Sequence, residues 1–448
     1  MKFEGNIATG FLFVMAGLAG LLYGIDIGVI TAALPYIRAA TAFSDAQLSL
    51  VVGAVVMGAV GSALFAGPLA DRIGRKPTIL LSAAAFTLSI PVICLSGGDF
   101  ATMMAGRVIQ GVSQGLISVV MPMYLAEMLP AAKRGKGTGF FQLMLSIGLV
   151  AVALLGFAIA SMTGDATAAA DVVSVTAKTR AWQLNFWIAG VPGVLLLVGS
   201  FFLEESPGRH AASVQAVETM GRAGGSDSIF RRRYLIPFAI AFVIVLCTQA
   251  TGTTAILNYS VTILSDVGLS GAYANMADTV VKAVNLVATL AAISLVDVRG
   301  RRFLLKIGTL GIVAAHLVSA GVFSALRLGW ASPSPLTGAM MAFAFVLLVG
   351  FYAIGPGVCV WLVMAELMPT RIRANGMSVS LFCNRCMAMG IASLFLPWAN
   401  AWGFEWVFLS FAACTAIYFL TVNFFLPETK GKALDEIERM FESKEYKI

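Results

Sequence analysis

Most charges in this chain sit in short polar stretches, but Asp26, Arg107, Lys282 and Arg385 lie inside long apolar runs. An ionisable group at such depth is costly and marks a functional position by default. Counted from the outer ends of their runs at 1.5 Å per residue, Asp26 and Arg107 lie roughly 16 and 10 Å deep, so the two can pair. A carboxyl's hold on a proton depends on whether its neighbours are apolar or cationic, so a rearrangement that broke the pair would switch protonation. A permanent buried ion pair is the static alternative. Lys282 can pair with Asp278 four residues earlier. Arg385 stands near the middle of "SVSLFCNRCMAMGIASLF" (Ser378–Phe395), where backbone carbonyls are its least demanding partners.

The elements that carry these groups are membrane spans. The chain has 448 residues, 59% hydrophobic and 12% charged, and a mean hydropathy of +0.88. A water-surrounded domain carries about 25% charged residues, so a soluble globule is excluded. Apolar runs of about 20 residues, enough to cross ~30 Å of hydrocarbon, recur along the sequence. They place spans at 9–37, 48–70, 78–97, 100–128, 137–161 and 182–203, then at 234–263, 272–297, 303–326, 338–368, 374–401 and 405–426. The opening residues run straight into the first span without a cleavage pattern, so no cleavable leader is expected.

Of the 30 basic residues, 23 fall on the side of the N-terminus, the even-numbered loops and the C-terminus, four on the other side and three within spans. That asymmetry predicts both termini in the cytoplasm and explains the net charge of +7 without nucleic acid. The six cysteines lie in apolar runs, and Cys383-x-x-Cys386 has no second cluster to complete a site, so neither a disulfide framework nor a metal or cofactor is expected. His210 and His316 stand apart, and no nucleophile–base pair or phosphate loop supports an enzyme. The Ala/Gly/Ser-rich stretch 204–233 divides an N-terminal bundle, 1–203, from a C-terminal bundle and short tail, 234–448.

Two phrases occur twice. "ADRIGRKP" follows span 2 and "VDVRGRRF" follows span 8; "AEMLPAAKRG" ends span 4 and "AELMPTRIRANG" ends span 10. Asp71 and Asp297 are 226 residues apart, Glu127 and Glu366 are 239 apart, and an arginine follows each glutamate by seven (Arg134, Arg373). Like-oriented six-span repeats imply a midplane site between two rocking halves. Solvated loops and topological anchors are the simpler reading of these charges. Breakable ion pairs, each contributing ~0–1 kcal/mol when exposed, suit a gate that holds one state and still opens.

With "GLLYGIDIGVITAALPYI" in span 1, "GRVIQGVSQGLISVVMPMYLAEMLPAAKRG" in span 4, "GPGVCVWLVMAELMP" in span 10 and "LPETKG" after span 12, nearly the whole chain resembles the sugar porter branch of the major facilitator superfamily, particularly its bacterial sugar–proton symporters. The resemblance implies an all-α membrane protein of twelve helices in two six-helix bundles. It implies a monomeric carrier in the bacterial inner membrane that imports a pentose, hexose or related polyol with a proton by alternating access. It assigns coupling to Asp26 and Arg107, and the cytoplasmic gate to Asp71, Arg75, Glu127, Arg134, Asp297, Arg301, Glu366, Arg373 and Glu428. Sugar contacts fall on Gln142, Gln249, Asn285, Trp361 and Asn384, amides and an aromatic face suited to hydroxyls and a C–H surface. Buried amides can instead bind helices together. Gly355, Pro356 and Gly357 are expected to break span 10 and admit backbone to the site.

Departures from the family pattern are Thr248 and Thr254 for amides, Asn258 for a tyrosine, Lys282 for a small residue and Arg385 for a tryptophan. They raise an alternative substrate, an anionic sugar such as an aldonate, ketoaldonate or uronate, held by Arg385 and Lys282. "EESPGR" after span 6 and the short central loop also depart from the pattern. An uncoupled facilitator would lack Asp26. A drug–proton antiporter would have a proline in span 5, and a non-transporting sugar sensor would have a long tail.

Overall fold

A computed structural model describes residues 5–129, 131–166, 173–206, 232–368, 372–430, 436 and 440–441. Among these, twelve helices are long and apolar enough to cross a membrane. Span 1 is Gly5–Ala40, span 2 Asp45–Ile73, span 3 Arg75–Cys94, span 4 Phe100–Met128 and span 5 Ala131–Thr163. Span 8 is Gly271–Arg299, span 9 Arg301–Arg327, span 11 Arg373–Trp402 and span 12 Phe404–Phe424. Spans 6, 7 and 10 are interrupted. Large apolar side chains such as Phe65, Val198, Phe343 and Leu394 stand outward, as lipid contact requires. Most of the linker, 207–231, lies outside the described residues.

Local chemistry sets the helix ends. Ser44 and Gln47 form a reciprocal capping box at span 2. Asp99, in the loop before span 4, accepts from the Thr102 backbone N at 2.8 Å and Oγ1 at 2.7 Å, and these bonds hold its carboxyl below the usual range. Small residues set the crossings. A Cβ on Gly24 would lie 1.9 Å from the Leu145 carbonyl oxygen, and one on Gly111 2.0 Å from that of Val55. Spans 1 and 5, and spans 2 and 4, therefore approach backbone to backbone, which explains the glycines of "GLLYG" and the second glycine of "GRVIQG"; the first, Gly106, faces Ile93 of span 3.

Span 7 is not the single helix expected from its apolar run. It breaks between Arg232–Ala250 and Thr253–Asp266, with Gly252 at φ +71° against the Phe411 ring. His316 of span 9 engages the freed Thr251 carbonyl through Nε2 at 2.8 Å. Span 10 turns through a π-helical stretch, Ala353–Gly357, around Pro356. A Cβ on Gly355 would lie 2.7 Å from the Leu304 carbonyl and 2.9 Å from Gly308 Cα, so this segment presses on span 9.

The two sets of six helices meet chiefly through spans 2 and 11, 5 and 8, and 1 and 7. Thr31 Oγ1 donates to Leu257 O at 2.6 Å, Asn400 Nδ2 to Asp45 Oδ2 at 2.6 Å, Leu396 N to Ser49 Oγ at 3.2 Å and Gly271 N to Asp165 Oδ2 at 2.8 Å. Each of these sits toward the end opposite the chain termini, and that end is closed.

Gly252→Ala forces a side chain into the left-handed region and onto Phe411; the expected loss is at least about 1–2 kcal/mol. His316→Leu strands the Thr251 carbonyl at about 1–3 kcal/mol. Thermal unfolding in detergent should show a lower midpoint for both.

Candidate functional site: a central cavity and a repeated ion-pair latch

Spans 1, 2, 4, 7 and 11 enclose a cavity of about 130 Å³ below the closed end. This is smaller than the ~300–1,000 Å³ of drug-sized sites and suits a compact polar solute. Asp26 and Tyr23 face it from span 1, Arg107 and Gln114 from span 4, Gln249, Thr254 and Asn258 from span 7, and Arg385 from span 11. Asp26 is 1% exposed; Gln114 and Arg107 act on its carboxyl at close range, without a well-formed hydrogen bond to either oxygen. Arg107, equally buried, donates to Val51 O at 3.2 Å and Gln110 Oε1 at 2.7 Å, with its guanidinium carbon 5.8 Å from the centre of the Phe186 ring. Asp26 and Arg107 thus share a cavity without sharing a hydrogen bond.

The amides of the wall are linked across the break in span 7. Gln249 Oε1 accepts from Thr254 Oγ1 at 2.7 Å, and its Nε2 donates to Asn384 Oδ1 at 3.4 Å. Asn384 in turn donates to Val245 O at 2.7 Å, and Asn258 to Thr254 O at 2.9 Å. Arg385 follows Asn384 into the wall, within electrostatic reach of Tyr352. No hydrogen bond or ion pair among the described residues engages its guanidinium.

Other residues expected at the site lie elsewhere. Lys282 is fully buried with Nζ 2.7 Å from Asp278 Oδ2, and Asp278 Oδ1 accepts from Ser260 Oγ. Gln142 faces a separate cleft of about 290 Å³ between spans 5 and 8, beside Leu286 and Thr289. Asn285 precedes Leu286 and does not line the central cavity, nor does Trp361, which is 42% exposed. The backbone of Gly355–Gly357 is likewise absent from that wall.

At the end bearing the termini, the duplicated phrases form duplicated structures. Arg75 pairs with Asp71 at 2.7 Å and Glu127 at 3.0 Å, and its backbone N donates to Glu205 Oε1 at 2.7 Å. Arg301 pairs with Glu366 at 3.2 Å, and its backbone N donates to Glu428 Oε1 at 3.1 Å. Gly74 and Gly300 precede these arginines at φ +106° and +86°, and a Cβ on either would lie 2.6 Å from the facing Glu205 or Glu428 carboxylate. Only glycine turns so sharply there without strain. The side chains of Arg134, Asp297 and Arg373 lie outside the described residues.

The family model described as "Sugar (and other) transporter" matches residues 12–218 and 209–441. The chain belongs to this family, a sugar porter of the major facilitator superfamily. It is 29% identical to the glucose transporter GlcP of Staphylococcus epidermidis, over 95% of this chain and 96% of that one. It is also 29% identical to the galactose-proton symporter of Escherichia coli, over 96% and 94%. The crystal structure of a D-xylose-proton symporter superposes with a TM-score of 0.80 at 22% identity, covering 95% of this chain and 99% of that one, and supports the major facilitator fold. The family is one of transporters, not enzymes.

Among sugar porter features, the latch residue missed in the sequence is Glu205. "EESPG" obscured it, yet it stands to Arg75 as Glu428 stands to Arg301. Gln114 of the cavity was missed as well; its signal was an amide seven residues, two helical turns, after Arg107. In the first latch Ser206 Oγ also donates to Glu127. Glu127→Gln should therefore destabilise the folded protein by about 1.5–3 kcal/mol, the loss of hydrogen bonds to a charged group. Thermal unfolding in detergent, beside the unaltered protein, checks this.

Proposed function

We propose that this protein is a proton-coupled symporter that carries a monosaccharide (a pentose, a hexose, a related polyol or the acid of one) inward by alternating access. The observation that carries the reading is Asp26, a carboxyl buried beside Arg107 and Gln114 on the wall of a small cavity lined by both halves. Coupling needs a group that holds a proton in one arrangement and gives it up in another. Asp26 qualifies because Arg107 shares its cavity while its donors are committed elsewhere; a small shift brings the guanidinium or water to the carboxyl and releases the proton. Gln114, Gln249 and Asn258 offer both donors and acceptors to hydroxyls, and Tyr23 offers a ring face. The named activities of the glucose, galactose–proton and xylose carriers that the chain resembles support the same reading.

In this scheme the basic end, with both termini, faces the cytoplasm, and the membrane is the bacterial inner membrane. The closed end, held by Thr31, Asp45, Ser49 and Asn400, then faces outside, and the structure is of the inward-facing kind. Asp71, Arg75, Glu127, Arg301, Glu366 and Glu428, with Glu205 added, tie the cytoplasmic ends of the helices within each half, so that each half rocks as a body. Arg134, Asp297 and Arg373 complete this set. Gln142 and Asn285, on the seam between spans 5 and 8, and Trp361, on the cytoplasmic side of the π-helical turn, join the site in a more closed arrangement.

Purified protein in liposomes, offered a panel of labelled pentoses, hexoses and their acids, should accumulate substrate only with an inward proton gradient. Asp26→Asn cannot release a proton; gradient-driven accumulation should fall by at least about tenfold, while exchange of sugar across the membrane without a gradient persists. Uptake indifferent to the gradient would refute coupling.

A further inference from the structure

The cations of the membrane region are treated unequally. Lys282 is neutralised by Asp278, which is itself held by Ser260. Arg107 is engaged by a carbonyl, an amide oxygen and an aromatic face. Arg385 alone among these three has no described partner, and it faces the cavity together with Asp26 and Arg107. Two cations against one carboxyl leave the cavity with net positive charge whether or not Asp26 holds its proton. Arg385 stands part-exposed on the cavity wall with no described partner for its donors, so the occupant that best answers its charge is an anion.

Resting on the symporter reading above, we propose that the physiological substrate class is a sugar that carries a carboxylate, an aldonate or uronate, with Arg385 as its bidentate clamp. A guanidinium has five N–H donors and no acceptor. It meets a carboxylate through two parallel bonds, whereas a neutral hydroxyl answers only one donor at a time. Gln114 and Asn258 in the same wall then take the hydroxyls. The charge balance follows. One proton on Asp26 and one monoanion cross together, so no net charge moves, whereas a neutral sugar with one proton would carry a positive charge inward.

The test uses the full chain in liposomes with labelled D-gluconate, D-galacturonate, D-glucose, D-galactose and D-xylose. Sugar acids should compete at least about tenfold more effectively than the neutral sugars. Acid uptake should respond to a pH gradient and not to an inside-negative potential imposed with valinomycin and potassium. Arg385→Gln should weaken acid competition by about tenfold or more, and Arg385→Lys, which keeps the charge but not the fork, should recover part of it. If that variant does not fold, the wild-type competition and potential measurements decide alone. Proton-driven uptake of a neutral sugar that no acid in large excess inhibits would overturn the anionic substrate and leave the symporter reading standing. Uptake of neither class under a proton gradient would overturn both.

Discussion

Hydrocarbon gives nothing to a charge or to a bare carbonyl, and the polar features of this protein follow from that constraint. Where span 7 unwinds, His316 reaches from span 9 to the Thr251 carbonyl. Where Lys282 lies wholly buried, Asp278 and Ser260 surround it. Arg107 finds a carbonyl, an amide and a ring. Asp26 and Arg385 are exceptions, and both open onto one cavity. The membrane makes such exceptions costly, and so a pair of them in one place reads as function more strongly than either would alone.

The same constraint decides what could be read from the sequence. Twelve spans were legible because apolar run length is a one-dimensional property, and the two latches were legible because each is written twice. The break in span 7 was not. Its glycine sits among β-branched threonines that serve equally in a helix, and the group that satisfies the break, His316, is 65 residues away. Proline and two glycines did mark the irregularity in span 10. Its purpose, close approach to Gly308 of span 9, belongs to packing and leaves no local trace.

For the site, residue type was legible and engagement was not. Asp26, Arg107, Gln249 and Arg385 were all singled out, and the structure brings all four to one wall. Depth along a helix allowed Asp26 to meet Arg107, but rotation about the helix axis and the competing acceptors Val51 and Gln110 keep the two from bonding. Lys282 and Arg385 looked alike as intruding cations. Asp278, one helical turn before Lys282, separates them, since it quenches the first and has no counterpart for the second.

The repeat carries an asymmetry that bears on the mechanism. Arg75 is held by Asp71 and Glu127 through its side chain and by Glu205 through its backbone, and Ser206 closes the ring by donating to Glu127. In the second half Arg301 is held by Glu366 through its side chain and by Glu428 through its backbone, and Thr429 follows Glu428 as Ser206 follows Glu205. Glycine contacts at 1.9–2.0 Å from a virtual Cβ pin span 1 to span 5 and span 2 to span 4 within the first half. Span 6 is interrupted in the first half, and spans 7 and 10 in the second. The first half brings the Asp26 carboxyl, Arg107 and Gln114 to the cavity, and the second brings Gln249, Thr254 and Asn258 from either side of the break in span 7, with Arg385 from span 11.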